Sequence, residues 1–562
     1  MINDLRRRRP HYISDWTDTL HPKILSSCLF MFFTSIAPAI TFAAVLDKKT
    51  REDGLAQIGP VEVILSTALT GCIFAIFGGQ PLCIVGVTGP VSIFTVACFS
   101  LSKAFSIKFL PFYCWVQLWA ALMHMVLAAT NACSAIRLVT RYSCETFGML
   151  IAVIYIYTGF YNLIDYFNGK TITVALLSLL LGLGTAWLAL LLSGARAWSF
   201  FTRVVRVSIA DYAATFSILL FCAIPYIATY SYTPDGAGIN TTKRDMLETL
   251  DVPSTFAPTA TGRSWFVDPS DCPVWAIFFA IAPGFLLTIL FFFDHNVSSL
   301  LCQAPEFGLK KGDAYHWDFF IIGVQIVVTG LLGIPPVNGL IPQAPLHTDS
   351  LCDKKFVTDE KTGVTSEVVV RCHEQRASHL LQAVLIGCML PAITIVGKIP
   401  IATLDGLFLF MGVASFAGNS FYERILLFAT DMKRVEMRKL PFIGSVPMNT
   451  IRLFTLLQVV ILAAIFTITR FDYIDGFFPF LIAILVPLRI YGLPRMFGAA
   501  YTDALDAAGE APDEDDDLEA TVSAQDSSKP LAADAEAKVP SPGASHSRVA
   551  PTPVDSAATY TM

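Results

Sequence analysis

Two stretches of this chain set glycine, proline and small polar residues inside long apolar runs, and the chemistry should be sought there. The first is V-G-V-T-G-P-V-S, Val85 to Ser92; the second is G-I-P-P-V-N-G-L-I-P-Q-A-P, Gly333 to Pro345. Glycine and proline forfeit helix hydrogen bonds, and bare backbone at membrane depth is tolerated only where protein or a water-lined cavity surrounds it. A helix beginning at Thr88-Gly89-Pro90 turns free N–H groups and the positive end of its dipole toward the preceding break, and Pro90 fits just inside that start. In the second stretch Asn338 or Gly339 opens a short helix, with Gln343 about one turn in. Two such helix starts facing one another make a binding site for an anion or a hydroxyl-rich solute. The plain alternative is a pair of kinks in ordinary helices.

Asp294 is the third candidate. It stands in L-T-I-L-F-F-F-D-H-N-V-S-S-L-L, a carboxylate among phenylalanines. An ionisable group at such depth is costly, faces an interior or a cavity, and is a functional candidate by default. It is the candidate for carrying a proton; the alternative is a carboxylate permanently hydrogen-bonded to a neighbouring helix. His295 faces another way on the same helix and reads as polar packing. His124, alone in an apolar run, reads as core. Thr34 and Ser35 precede Ala37-Pro38-Ala39, where Pro38 kinks the helix. They either line the cavity or satisfy backbone freed by the kink. Asp211 and Asp405 read as end-of-helix residues.

The elements that must position these residues are membrane spans. The chain has 562 residues, 54% hydrophobic and 15% charged, with apolar runs long enough to cross a bilayer at about 20 residues per helix. Spans are expected at 23–46, 61–78, 89–103, 109–130, 144–164, 171–193 and 209–230. After a polar, Pro/Gly/Thr-rich segment they resume at 275–302, 315–332, 338–350, 379–397, 400–416, 451–470 and 474–491. Seven spans in each half give the two copies opposite orientation, which is an inverted repeat, with each break in the third span of its half. The expected organisation is a leader 1–21, a first repeat 22–230, an extracellular loop 231–273, a second repeat 274–495 and an acidic disordered tail 496–562.

The formal charge of -6 is set by that tail, where 13 acidic residues from Tyr501 onward face only Lys529, Lys538 and Arg548. Basic residues concentrate at Arg137, Arg141, Arg196, Arg203, Arg206, Lys310, Lys311 and Arg424, in loops on the leader's side, so both termini are placed in the cytoplasm. Lys48, Lys49 and Arg51 run against this, in a short turn they share with Asp47, Glu52 and Asp53. The sequon at Asn240 then falls outside the cell, as glycosylation requires. Asn419 to Met448 reads as an amphipathic surface helix. The 13 cysteines form no disulfide framework, and without CxxC or His/Cys ligand spacing no metal or cofactor is expected. No nucleic-acid partner is expected, and no paired nucleophile and base points to an enzyme.

Several motifs together resemble one family. A-P-A-I-T-F (37–42), T-R-Y-S-C-E-T-F (140–147), F-F-F-D-H-N (291–296), E-Q-R-A-S-H-L-L (374–381), F-L-F-M-G-V-A-S (408–415), E-R-I-L-L-F (423–428) and V-P-L-R (486–489) look like the bicarbonate transporter family that includes the red-cell anion exchanger. The likeness runs from about residue 20 to 495. The short leader in place of a large folded N-terminal domain is similar to the boron transporters of fungi and plants. The resemblance implies an all-α fold of fourteen transmembrane segments in two inverted repeats. It implies a core domain (spans 1–4 and 8–11), a gate domain (5–7 and 12–14) that usually dimerises, and a substrate between half-helices 3 and 10 at the midplane. The family's acidic residue in span 8 lands on Asp294. Its cationic residue in span 10 lands on the neutral Gln343. A glutamine both gives and takes hydrogen bonds, which suits borate or boric acid better than bicarbonate. The expectation is a secondary active transporter exporting borate by alternating access across the plasma or vacuolar membrane. Its cradle would be Thr88, Gly89, Pro90, Asn338, Gly339 and Gln343, with Asp294 the coupling candidate. The alternative of the same fold is a bicarbonate/chloride exchanger; a channel or a membrane receptor are the readings from other classes.

Overall fold

The computed structural model describes residues 1–18, 21–227, 231–232, 241–242, 247–341, 343–358, 365–416, 419–430, 442–471 and 477–506. The chain divides into a unit Met1–Ala508 and a second, Gly509–Met562, which lies outside the described residues. The first unit is helical, with four two-stranded ladders.

In chain order, the elements that carry the argument begin with α1 (Pro22–Lys49) and α2 (Pro60–Phe77). The two-residue strand β1 (Val85–Gly86), α3 (Gly89–Ala104) and α4 (Arg141–Gly169) follow. The second half supplies α5 (Ile281–Cys302), α6 (Tyr315–Leu332), β2 (Asn338–Gly339), α7 (Gln343–Ser350), the hairpin β3 (Cys352–Thr358) and β4 (Thr365–Cys372), α8 (Ala377–Gly387) and α9 (Ile401–Ala414). Among the described residues nine helices are long and apolar enough to cross a membrane. Arg203–Asp211 and Ala213–Tyr226 are long and apolar enough only as a pair, which is bent by 64°. The bend falls at Tyr212, whose ring packs edge-on against Phe30 and Phe33 of α1.

Both halves solve one problem the same way: a helix that stops inside the molecule leaves carbonyls without donors. At the end of α2, Arg376 Nη1 donates to the carbonyls of Ala75 (3.0 Å), Ile76 (3.4 Å) and Gly78 (2.6 Å). At the end of α6, Arg263 Nη2 donates to those of Leu332 (2.9 Å) and Gly333 (2.7 Å). Gly333 turns there with φ of +60°, the left-handed helix end that glycine takes without strain. Both guanidinium groups are buried beside carboxylates, Arg376 with Asp15 at 3.0 Å and Arg263 with Glu62 at 3.5 Å. Arg263 therefore makes part of the segment 231–273 a structural plug rather than a free loop.

The leader is likewise built in. Asp15, fully buried, accepts from Arg8 Nη2 (3.1 Å), Lys311 Nζ (2.9 Å) and Arg376 Nε (3.0 Å). Phe109–Ala129 lies along α6 and α5, α2 lies along α8, and α9 is wedged between α4 and Ile172–Ser193.

Several boundaries differ from expectation. Residues 338–341 are not helical, because Asn338 and Gly339 are spent on a strand pair, and the described helix α7 runs over eight residues from Gln343. The eleventh expected span, 379–397, is broken into α8 and Ile393–Val396. Order extends past the expected tail boundary at 496: Ala499–Asp506 is helical and held by Arg489, 3.0 Å from both Asp503 and Asp506. Of the surface helix expected over 419–448, Ser420–Leu426 is seen, and 431–441 lie outside the described residues.

Removing one partner of a buried ion pair strands the rest, at a cost of about 3–5 kcal/mol. Asp15→Ala leaves Arg8, Lys311 and Arg376 short of a partner, and should lower the thermal unfolding midpoint in detergent markedly more than Ala at an exposed carboxylate such as Asp18.

Candidate functional site

The two breaks meet. β1 and β2 pair antiparallel, Val85 opposite Gly339 and Gly86 opposite Asn338, and the Leu340 amide donates to the Ile84 carbonyl at 2.8 Å. Each extended segment thus satisfies the backbone of the other, which the interior of a membrane protein demands. Glycine is required by close approach: a Cβ at Gly339 would sit 2.7 Å from Ser298, and one at Gly86 3.1 Å from Leu340. Immediately after β1, Thr88 caps α3, its hydroxyl oxygen accepting from the Val91 amide at 3.4 Å. Pro90 occupies the first turn.

Asp294, on α5, closes the other side. Its Oδ2 accepts from Asn338 Nδ2 at 2.9 Å, and its Oδ1 has no hydrogen-bond partner among the described residues. Asn338 Oδ1 and Gln343 Oε1 are also buried acceptors without a partner among them. Gln343 Nε2 is committed, donating to the Thr34 carbonyl at 3.3 Å. The reason is in the sequence of α1. A helix carbonyl normally accepts from the amide four residues on, and for Thr34 that residue is Pro38, which has no N–H. Gln343 supplies the missing donor from across the molecule. The Thr34 hydroxyl is itself turned to its own helix, toward the carbonyls of Phe30 (2.8 Å) and Met31 (3.2 Å), while Ser35 Oγ is buried with no partner among the described residues.

The expected cradle is therefore brought together in pieces: Asp294 bonds Asn338 and meets the Thr88 side chain, Gln343 bonds Thr34, and Thr88, Gly89 and Pro90 open the helix that follows β1. His295 lies edge-on to Phe74 at 5.6 Å, and His124 stacks on Phe319 at 4.4 Å and bonds the Ala120 carbonyl, both in aromatic surroundings. Asn240 lies outside the described residues.

Two residues escape a sequence reading, Tyr155 and Asp318, and a third, Asp405, is misread by it. Tyr155, on α4, packs so closely on α3 that a Cβ at Gly89 would lie 2.1 Å from its hydroxyl. It shares with Gly89, Ser92, Thr158, Phe42 and Phe408 the lining of a cavity of about 40 Å³, room for a few water-sized groups. Asp294, Asn338 and Gln343, at 2%, 0% and 8% exposure, are buried and do not line it. Asp318, on α6, accepts from the amides of Gly79 and Gln80 in the unwound segment after α2. Asp405 is not an end-of-helix residue. It sits within α9, 2% exposed, accepting from Asn162 Nδ2 at 2.7 Å and the Tyr166 hydroxyl at 3.5 Å. The signal for both aspartates was the one that exposed Asp294, a lone carboxylate in an apolar run.

Residues 1–174 and 168–510 match the family model of the HCO3- transporter integral membrane domain. The chain belongs to the bicarbonate transporter family. Family members are transporters, and this chain is a multi-pass membrane transporter rather than an enzyme. A putative transporter of Schizosaccharomyces pombe is 36% identical over 508 residues, 88% of this chain and 93% of that protein. Boron transporter 1 of Saccharomyces cerevisiae is 35% identical over 440 residues, covering 77% and 72%. The human Band 3 anion transport protein is 30% identical over 531 residues, covering 90% and 56%. Among solved structures SLC26A9 shares the fold, with a TM-score of 0.51 at 12% identity over 84% of this chain and 65% of that one.

The Pro38 argument is open to a double-mutant cycle. A buried carbonyl left without a donor costs about 1–3 kcal/mol, so Gln343→Leu alone should destabilise by that order. In a Pro38→Ala background, where position 38 regains an N–H that can donate to the Thr34 carbonyl within the helix, the same change should cost clearly less, read from detergent unfolding curves of the four proteins.

Proposed function

We propose that this family member carries boric acid or borate across its membrane by alternating access. The observation that carries the reading is the chemistry of the buried set beside the crossing. Asp294 Oδ1, Asn338 Oδ1 and Gln343 Oε1 are acceptors awaiting donors, and no Lys or Arg bonds any of these three side chains among the described residues. Boric acid has three hydroxyl groups, each a donor; borate adds a fourth and a negative charge that the amide-bearing start of α3 can accept. Bicarbonate offers one hydroxyl and a charge, and is better served by a fixed guanidinium. The name of the yeast relative, Boron transporter 1, supports the same substrate.

A negative solute and the Asp294 carboxylate repel one another at this range, so Asp294 carries a proton when borate is bound, and transport is coupled to proton movement. The nine long helices and the bent pair, with α3, α8, α9 and the eight-residue α7, make up fourteen membrane segments. The matching Arg-capped helix, extended pair and short helix in each half support two inverted repeats whose half-helices, α3 and α7, start at the midplane. The helix group around α2 and α6 is then the core, moving against a gate that contains α4 and α9, and the gate is the expected homodimer contact. Export, cytoplasmic termini and residence in the plasma membrane complete the proposal.

Purified protein in vesicles should move boric acid down a gradient faster than labelled bicarbonate; the reverse preference would favour anion exchange on the same scaffold. An amide at this position stays neutral and cannot take up or release the proton, so Asp294→Asn should abolish the acceleration of boron flux by an imposed pH gradient and, where boric acid is bound by the ionised carboxylate, slow flux roughly tenfold through loss of a charged acceptor worth about 1.5–3 kcal/mol. Full pH-driven uphill flux in that variant would refute the coupling role.

A further inference from the structure

The hairpin β3–β4 joins the end of α7 to the start of α8, and its base holds two cysteines opposite one another: Cys352 pairs across the ladder with Cys372. Both are unbridged and buried, at 4% and 9% exposure. Both thiols point at one atom, the Thr348 carbonyl oxygen in the last turn of α7, Cys352 Sγ at 3.2 Å and Cys372 Sγ at 3.7 Å. Two sulfurs donating to a single oxygen from directly opposed strand positions are within reach of one another, as a disulfide requires.

The surroundings favour reaction as well as proximity. Lys23 Nζ donates to the Cys352 carbonyl at 2.6 Å and pairs with the neighbouring Asp353 at 2.6 Å, and Lys354 is two positions along. The Cys372 thiol beside it, together with these lysines, holds the Cys352 thiol below its usual range, which raises the thiolate fraction that oxidants attack. Asp353, adjacent in sequence, has a side chain 41% exposed, so the pair lies one residue beneath solvent. The cysteines nearer the crossing, Cys83 and Cys302, lie fully enclosed.

We propose that Cys352 and Cys372 are a reversible dithiol/disulfide pair, oxidised by hydroperoxides and reduced by cellular thiols, that clamps the exit of half-helix α7. The Cys352 thiolate attacks the peroxide oxygen, giving a sulfenic acid and, after protonation, one water. The Cys372 thiol then attacks that sulfur, forming the S–S bond and releasing a second water. For hydrogen peroxide the two thiols give up two protons and two electrons, and the peroxide leaves as two waters. Oxidation removes both S–H donors from the Thr348 carbonyl and ties the strand leaving α7 to the strand entering α8. The inference needs neither the substrate nor the direction assigned above.

The test uses the full chain, purified in detergent and treated with hydrogen peroxide, with and without later dithiothreitol. Free thiols are alkylated and peptides mapped without reduction. Expected is loss of alkylation at Cys352 and Cys372 together, one cross-linked peptide pair joining them, and full recovery after dithiothreitol. Peroxide should raise the unfolding temperature of the natural chain; in Cys352→Ser that rise should be absent, and Cys372 should stay alkylatable or be trapped only in mixed disulfides. Both thiols remaining fully alkylatable after peroxide, or cross-links mapping to another cysteine pair, would overturn the proposal. Vesicle flux measured on the same oxidised and reduced samples separates this result from the transport reading, because the bridge can form whether or not boron moves.

Discussion

Everything at the centre of this molecule follows from the cost of an unpaired peptide group away from water. Two helices stop partway, and each leaves carbonyls behind it and an extended segment ahead. The carbonyls are taken by Arg376 in one half and Arg263 in the other; the extended segments take each other, Gly86 with Asn338 and Val85 with Gly339. Polar backbone is thereby buried in the middle of an apolar protein without being stranded, and side-chain acceptors such as Asp294 Oδ1 are the groups left over.

The link between Pro38 and Gln343 applies the same constraint to a single bond. Proline removes one donor from α1, and the first residue of α7 returns it across the structure. In consequence the glutamine presents its oxygen, not its amide, to the interior. The side chain at position 343 is thus an acceptor toward the interior, the consequence of a helix bond lost about one turn ahead of that proline.

Much of this was legible in the chain. The break at Gly86–Pro90, the start of α3 at Gly89, the span Tyr315–Leu332 and the depth of Asp294 could all be placed, because glycine, proline and a lone carboxylate leave marks that local rules interpret. The second break was located but its helix was started too early, since nothing in N-G-L-I-P-Q states that Asn338 and Gly339 will be drawn into a strand by residues more than two hundred positions away. Tyr155 was invisible for a related reason: it is an ordinary aromatic of an apolar helix until α4 is laid against Gly89. Asp405 was misread as a helix end because it stands before an apolar run, although the bonds from Asn162 and Tyr166 belong to a buried group within a helix.

The leader offers a practical handle. Asp15 is shared by Arg8, Lys311 and Arg376, and Arg376 in turn grips the end of the helix before the first break. The opening eighteen residues are consequently riveted to the segment that carries the crossing instead of trailing from it. A fluorophore attached near Ile13, which is 75% exposed, would ride with that segment and turn its displacement into an optical signal.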